Sequence, residues 1–143
     1  MKKKSFYFLN FSFSFFFFTL LLLSCSSEQE VIEASHPDGS PKVVGLYQNN
    51  FKKGEIKFYE DGKKEIEGGY NENLERDGRW TYWFSNGKVW SECSYKNGLK
   101  DGKSAVYFEN GQKRYEGRYR NDTTIGTWKF WNERGELLKE IKY

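Results

Sequence analysis

Arg79-Trp80-Thr81-Tyr82-Trp83-Phe84-Ser85-Asn86-Gly87-Lys88-Val89-Trp90-Ser91-Glu92-Cys93-Ser94-Tyr95 is the stretch on which the fold turns. Its two arms are dense in aromatic and β-branched residues, which suit a pleated, half-buried surface. Between them stands Asn86-Gly87, the strongest short-range hairpin signal, because both central residues of a type I′ turn need positive φ. A two-residue turn there predicts that Phe84 faces Val89, Tyr82 faces Ser91 and Trp80 faces Cys93 on one side of the ribbon. Trp83 then faces Trp90, and Thr81 faces Glu92, on the other. Side chains alternate strictly along a strand, so a slip of one residue would exchange the two faces. The second arm is expected to end in a looser turn over Lys96-Asn97-Gly98-Leu99-Lys100-Asp101-Gly102.

The same unit recurs on both sides. Gly54, Gly78, Gly102 and Gly126 are spaced by 24 residues. The turn glycines Gly62, Gly87, Gly111 and Gly135, with Gly39 before them, are 23 to 25 apart, and Tyr70, Tyr95, Tyr119 and Tyr143 keep step. Such a period marks a repeat architecture in which each unit buries its apolar face against the next. The glycine spacing and the absence of a 3.6-residue stripe argue against helix. The expectation is an all-β chain: an elongated, twisted antiparallel meander of tandem β-hairpins over residues 39–143, about 4.5 units, with residues 36–48 as a partial first unit. Gly54 to Gly62 is one residue short of its counterparts, which predicts a bulge or altered turn in that unit. Beyond residue 24 there are 19 aromatic residues against 15 Val, Ile, Leu and Met, so the core is built mainly from rings.

The N-terminus is different in kind. Lys2-Lys3-Lys4 precedes an apolar run from Phe6 to Leu23, and Leu22-Leu23-Ser24-Cys25 closes it. This resembles the lipobox of bacterial lipoproteins, which implies a signal peptide over residues 1–24, cleavage before Cys25 and acylation of Cys25. Several acyl chains give stable anchoring where one gives only marginal binding. The alternative is an uncleaved membrane helix; the abrupt Ser24-Cys25-Ser26-Ser27 and the lack of a following basic cluster favour the lipoprotein reading. Residues 25–38 are then the lipidated cysteine and an acidic tether. The expected location is the bacterial cell envelope, at the outer membrane, on the periplasmic or surface side.

Removing residues 1–24 takes away Lys2, Lys3 and Lys4, so 23 basic residues become 20 against 20 acidic ones and the net charge falls from +3 to zero. A neutral chain is a poor candidate for nucleic acid, whose binding rests on phosphate neutralisation. It also lacks a polybasic membrane patch. With Cys25 in the anchor, Cys93 has no disulfide partner in the chain.

Three segments, Gly78-Arg-Trp-Thr-Tyr-Trp-Phe-Ser-Asn-Gly-Lys, Gly102-Lys-Ser-Ala-Val-Tyr-Phe-Glu-Asn-Gly-Gln and Gly126-Thr-Trp-Lys-Phe-Trp-Asn-Glu-Arg-Gly-Glu, resemble the MORN repeat variant and match one another in phase. The chain is similar to bacterial proteins labelled YwqK-type antitoxins. The resemblance implies a hairpin-repeat scaffold with lipid or protein binding.

Constellations for catalysis are missing from the sequence. His36 is the single histidine and stands at the edge of the tether, whereas a paired Ser or Cys nucleophile needs a base in the folded body. A zinc site needs several His or Cys ligands, so neither metal nor cofactor is expected. Cys93 occupies the slot of Gly68, Gly117 and Ile141 and is expected as a small core filler. The column Glu67, Glu92, Glu116 and Glu140 is expected to form cross-strand pairs rather than a cation site. The best candidate site is a stripe on the second face: Trp83, Trp90, Tyr107 and Trp131, suited to sugar rings or to a partner's apolar patch. Tyr107 over Arg114 is a further expected cation–π pair. The function expected is a non-catalytic, lipid-anchored scaffold that binds a protein or glycan of the envelope. The alternatives are an antitoxin or immunity protein meeting a toxin in the envelope, and direct lipid-surface binding by the repeats.

Overall fold

The computed structural model describes residues 28–143. They form one antiparallel sheet in which ten strands follow one another in sequence order. The strands are β1 (Glu28–Ser35), β2 (Pro41–Gln48), β3 (Phe51–Phe58), β4 (Lys64–Tyr70), β5 (Arg76–Trp83), β6 (Val89–Lys96), β7 (Leu99–Tyr107), β8 (Lys113–Arg120), β9 (Thr123–Trp131) and β10 (Leu137–Lys142). Each strand packs mainly on the strand before and the strand after it. The result is an elongated all-β meander of hairpins, with no helix among the described residues. The expected signal peptide over residues 1–24 and the expected acylation site Cys25 lie outside the described residues.

The domain starts earlier than composition suggests. Residues 28–35, expected as part of an acidic tether, are strand β1, paired with β2 from Glu28↔Gln48 to Ser35↔Pro41. Its charges looked like those of a solvated linker, but one of them is internally matched: Lys52 Nζ lies 2.7 Å from Glu33 Oε2, and Tyr47 Oη donates to Glu33 Oε1 at 2.7 Å. Those two hydrogen bonds hold the Glu33 carboxyl below its ordinary range. The first hairpin is therefore whole, and the described residues form five hairpins rather than about 4.5 units.

The two kinds of turn are exchanged relative to expectation. Asn86-Gly87 is not a two-residue I′ turn. Gly87 N donates to Phe84 O at 2.8 Å and Phe84 N to Lys88 O at 2.8 Å, and only Gly87 has positive φ, at 83°. This is a type I turn closed by a G1 bulge, with three loop residues. Gly62, Gly111 and Gly135 repeat it. Three of the turns between hairpins are the tight I′ ones, Asn97 (φ 48°) with Gly98 (φ 81°) and likewise Asn49-Asn50 and Asn121-Asp122, whereas the turn between β4 and β5 repeats the three-residue loop with Leu74 at φ 60°.

The longer loop shifts the register near each turn and leaves it intact further in. Trp80↔Cys93, Thr81↔Glu92 and Tyr82↔Ser91 hold, but Trp83 meets Val89, so Trp90 is a bulge residue. Arg114 and Leu138 take the same place in the next two hairpins. The second unit shares this bulge, and its missing residue is absorbed elsewhere. The kink between β2 and β3 has one extra residue on β3, where the later inter-hairpin kinks have two, and Gly54 has no positive φ.

The core is one row of side chains running across the sheet on the first face. Trp80 is 1% exposed and Trp128 5%. Trp80 lies flat on Gly68 and Trp128 on Gly117; a Cβ at either glycine would fall inside the indole ring. Tyr70 and Tyr95 meet Trp80 edge-on at 5.3 and 6.4 Å between centroids, and Tyr119 and Tyr143 meet Trp128 at 5.0 and 6.4 Å. Edge-to-face rings with Arg76 stacked 4.3 Å above Trp80 shield the indole without a second layer. The row continues through Cys93 and Ser104, which are in register and buried.

Candidate binding surface

On the second face, Trp83, Tyr107 and Trp131 occupy equivalent positions on β5, β7 and β9. Alternate strands set them about 10 Å apart. They are half-buried rather than free-standing. Lys64 Nζ stands 5.9 Å over the Trp83 ring and pairs with Glu67 at 2.7 Å. Lys113 Nζ stands 5.5 Å over Trp131 and pairs with Glu116 at 2.6 Å. These two units thus build a triad in which a lysine is held three residues before a glutamate and roofs the aromatic ring of the next strand. The spacing works because strand residues i and i+3 fall on one side only across a bulge, and the bulge residue supplies that extra step.

Trp90 does not join this stripe. Its ring meets Tyr82 edge-on at 6.1 Å and Phe84 at 6.1 Å, both on the first face. Arg114 is likewise re-aimed and stacks on Phe108 at 5.7 Å instead of on Tyr107. The bulge is the physical cause of both corrections. Trp90 remains 46% exposed at the rim of the aromatic core.

The stripe is unlike itself at its centre. Val89 stands where Lys64 and Lys113 stand in the flanking units, so Glu92 lacks the lysine and Tyr107 lacks the roof. Tyr107 Oη instead donates to Glu92 Oε2 at 3.4 Å, and Arg79 approaches Glu92 at 3.7 Å. Burial and the neighbouring Glu92 carboxylate push the Tyr107 phenol upward. Ala105 lies in register between Glu92 and Glu116, where β9 carries Lys129. Ala105 leaves the floor without a long side chain, and above it lies a depression of about 520 Å³ bordered by Arg79, Glu92, Lys103, Tyr107, Glu116 and Arg118.

The remaining candidates have structural surroundings. Glu67, Glu116 and Glu140 form ion pairs, the last with Lys129 at 2.9 Å. The Cys93 thiol is buried in the core row, and burial raises its pKa, which keeps it protonated and a poor nucleophile. His36 sits in the β1–β2 turn and donates from Nε2 to the Phe58 carbonyl at 3.0 Å. Tyr59 does the same one unit on, reaching the Trp83 carbonyl at 2.6 Å. The turns themselves are stitched into a ladder: Asn86 Nδ2 donates to the Glu109 carbonyl at 3.2 Å and Asn110 Nδ2 to that of Glu133 at 2.7 Å. The spacing of the surface aromatics is thereby braced along the turn edge.

Residues 76–97 and 100–121 match the model of the MORN repeat variant family. These are the hairpins β5–β6 and β7–β8, which carry the depression between them. No curated protein matches the chain.

Proposed function

We propose that this chain is a non-catalytic scaffold that holds a protein or glycan of the bacterial cell envelope on its second face and is itself tethered by lipid on Cys25. The observation that carries the proposal is the recurrence of one aromatic ring with its acidic neighbour, at Trp83, Tyr107 and Trp131, on a sheet whose turns brace the spacing. A row of rings presents apolar area with polar groups beside it, the composition of a recognition surface rather than of a single reacting centre. The lipobox-like Leu22-Leu23-Ser24-Cys25 supports attachment to a membrane, at the outer membrane by the expectation above.

In-cell crosslinking of the anchored protein, followed by purification and mass spectrometry, tests the proposal. Trp83→Ala with Trp131→Ala is expected to remove the recovered partner, and Cys25→Ala to release the protein from the membrane fraction. A partner set unchanged by the double substitution would sink the aromatic-stripe proposal. Recovery of a toxin, with protection lost in Cys25→Ala, would make the scaffold an immunity protein.

A further inference from the structure

The depression over β7, flanked by β6 and β8, carries a charge arrangement of its own. We infer that it is a subsite for a carboxylated saccharide, its acid group held between Lys103 and Arg118 and its hydroxyls by Glu92 and Glu116. This rests on the reading of the chain as a binding scaffold and is independent of the lipid anchor.

Lys103 and Arg118 are direct cross-strand partners. Like charges opposite one another destabilise a sheet. Among the described residues neither has an acidic partner, and both are exposed. Arg79 borders the same depression with its side chain 73% exposed, and its 3.7 Å approach to Glu92 is too long for a charge-assisted hydrogen bond. An anion between Lys103 and Arg118 turns a repulsive pair into two charge-assisted bonds.

The other end of the depression asks for something else. Glu92 and Glu116 flank Ala105 two strands apart, about 10 Å, and accept hydrogen bonds only. Beyond them the Tyr107 ring lacks the lysine roof of Trp83 and Trp131. From Lys103 to Tyr107 is four residues along β7, about 13 Å, a span that a di- or trisaccharide covers. An acidic peptide would bring carboxylates toward Glu92 and Glu116. A sugar acid carries its charge on one substituent and offers hydroxyl donors and a flat face elsewhere, which matches the order cations, carboxylates, ring.

Calorimetric titration of the full chain in detergent micelles tests this, with trigalacturonate and sialyllactose as carboxylated probes, neutral galactotriose and tetraglutamate. At least one carboxylated probe is expected to bind, and galactotriose at least tenfold more weakly. Lys103→Ala with Arg118→Ala should weaken the carboxylated probe tenfold or more and flatten its salt dependence, and Tyr107→Ala should weaken both kinds of sugar. All three positions are on the surface, and circular dichroism confirms that the sheet is retained. No binding of either carboxylated probe, or binding unchanged by the double substitution, overturns the assignment. Tetraglutamate binding as tightly as the sugars also overturns it and identifies an acidic peptide as the ligand. If the probes fail while Trp83→Ala with Trp131→Ala still strips the crosslinked partner, the scaffold stands and only the subsite falls.

Discussion

The junction between β6 and β7 and the junctions on either side of it, β4/β5 and β8/β9, are built on one template that the middle one alters on both faces. In the flanking junctions a tryptophan lies on a glycine on the first face, Trp80 on Gly68 and Trp128 on Gly117, and a lysine–glutamate pair roofs a ring on the second. In the middle junction Ser104 faces Cys93, and Val89 replaces the lysine. The flanking junctions put their side-chain volume and charge into contacts with one another. The middle junction lacks these contacts, and beside it, over Ala105 on β7, Lys103 and Arg118 face each other in the depression without an acidic partner among the described residues. In a repeat array stability is roughly a sum over units and their interfaces, so one relaxed interface between two tight ones is tolerated.

The comparison breaks most visibly at the rings. Trp80→Ala is expected to cost about 3–5 kcal/mol, whereas Ser104→Ala at the equivalent position should cost under about 1 kcal/mol, both by urea unfolding. Equal losses would mean that the middle junction is as tightly packed as its neighbours. Next is transplantation. Ser104→Trp alone should overpack against Cys93 and cost about 1–3 kcal/mol, and adding Cys93→Gly should recover most of it, because the pair restores the ring-on-glycine arrangement. A double substitution no better than the single one would show that the glycine does not set the fit.

On the second face Val89→Lys should supply the missing roof. A pair with Glu92 and a cation over Tyr107 contribute about 0.5 kcal/mol at a half-exposed site, fading with salt. The same lysine should cover Tyr107 and weaken any ligand that stacks on that ring. The smallest effect concerns the β2/β3 junction, where Glu55 takes the ring's place and Lys52 joins it to Glu33. Glu33 titrates below its ordinary value of 4.5. Its contribution is therefore complete above that value and disappears as pH falls through the lower folded one. Unfolding at pH 7 and pH 3 should show a loss that Glu33→Gln reduces; an identical pH profile in the variant would exclude this pair as the cause.

Much of this was legible in advance because repetition is redundant. Two glycine series with a tyrosine and a glutamate series in phase define hairpins whatever any one turn does, and the central pairings Trp80↔Cys93 and Thr81↔Glu92 follow from the spacing alone. The faces of Trp83, Tyr107 and Trp131 follow from alternation. Misreading began at the turns. Asn-Gly is compatible with both an I′ turn and a G1-bulged loop, and the choice between them adds a residue that re-aims Trp90 and Arg114. Residues 28–35 were misassigned because local charge density does not reveal that Glu33 has Lys52 for a partner 19 positions away.

The repeat, its strand order and the two-faced pattern are written in periodicity and in the intrinsic preferences of glycine, aromatic and β-branched residues. The turn type, the bulges, the true start of the sheet and the depression over β7 emerge only in the folded sheet. Each of those depends on which side chains meet across strands. Lys103 and Arg118, fifteen positions apart in the chain, become an unmatched pair only once β7 and β8 set them opposite each other.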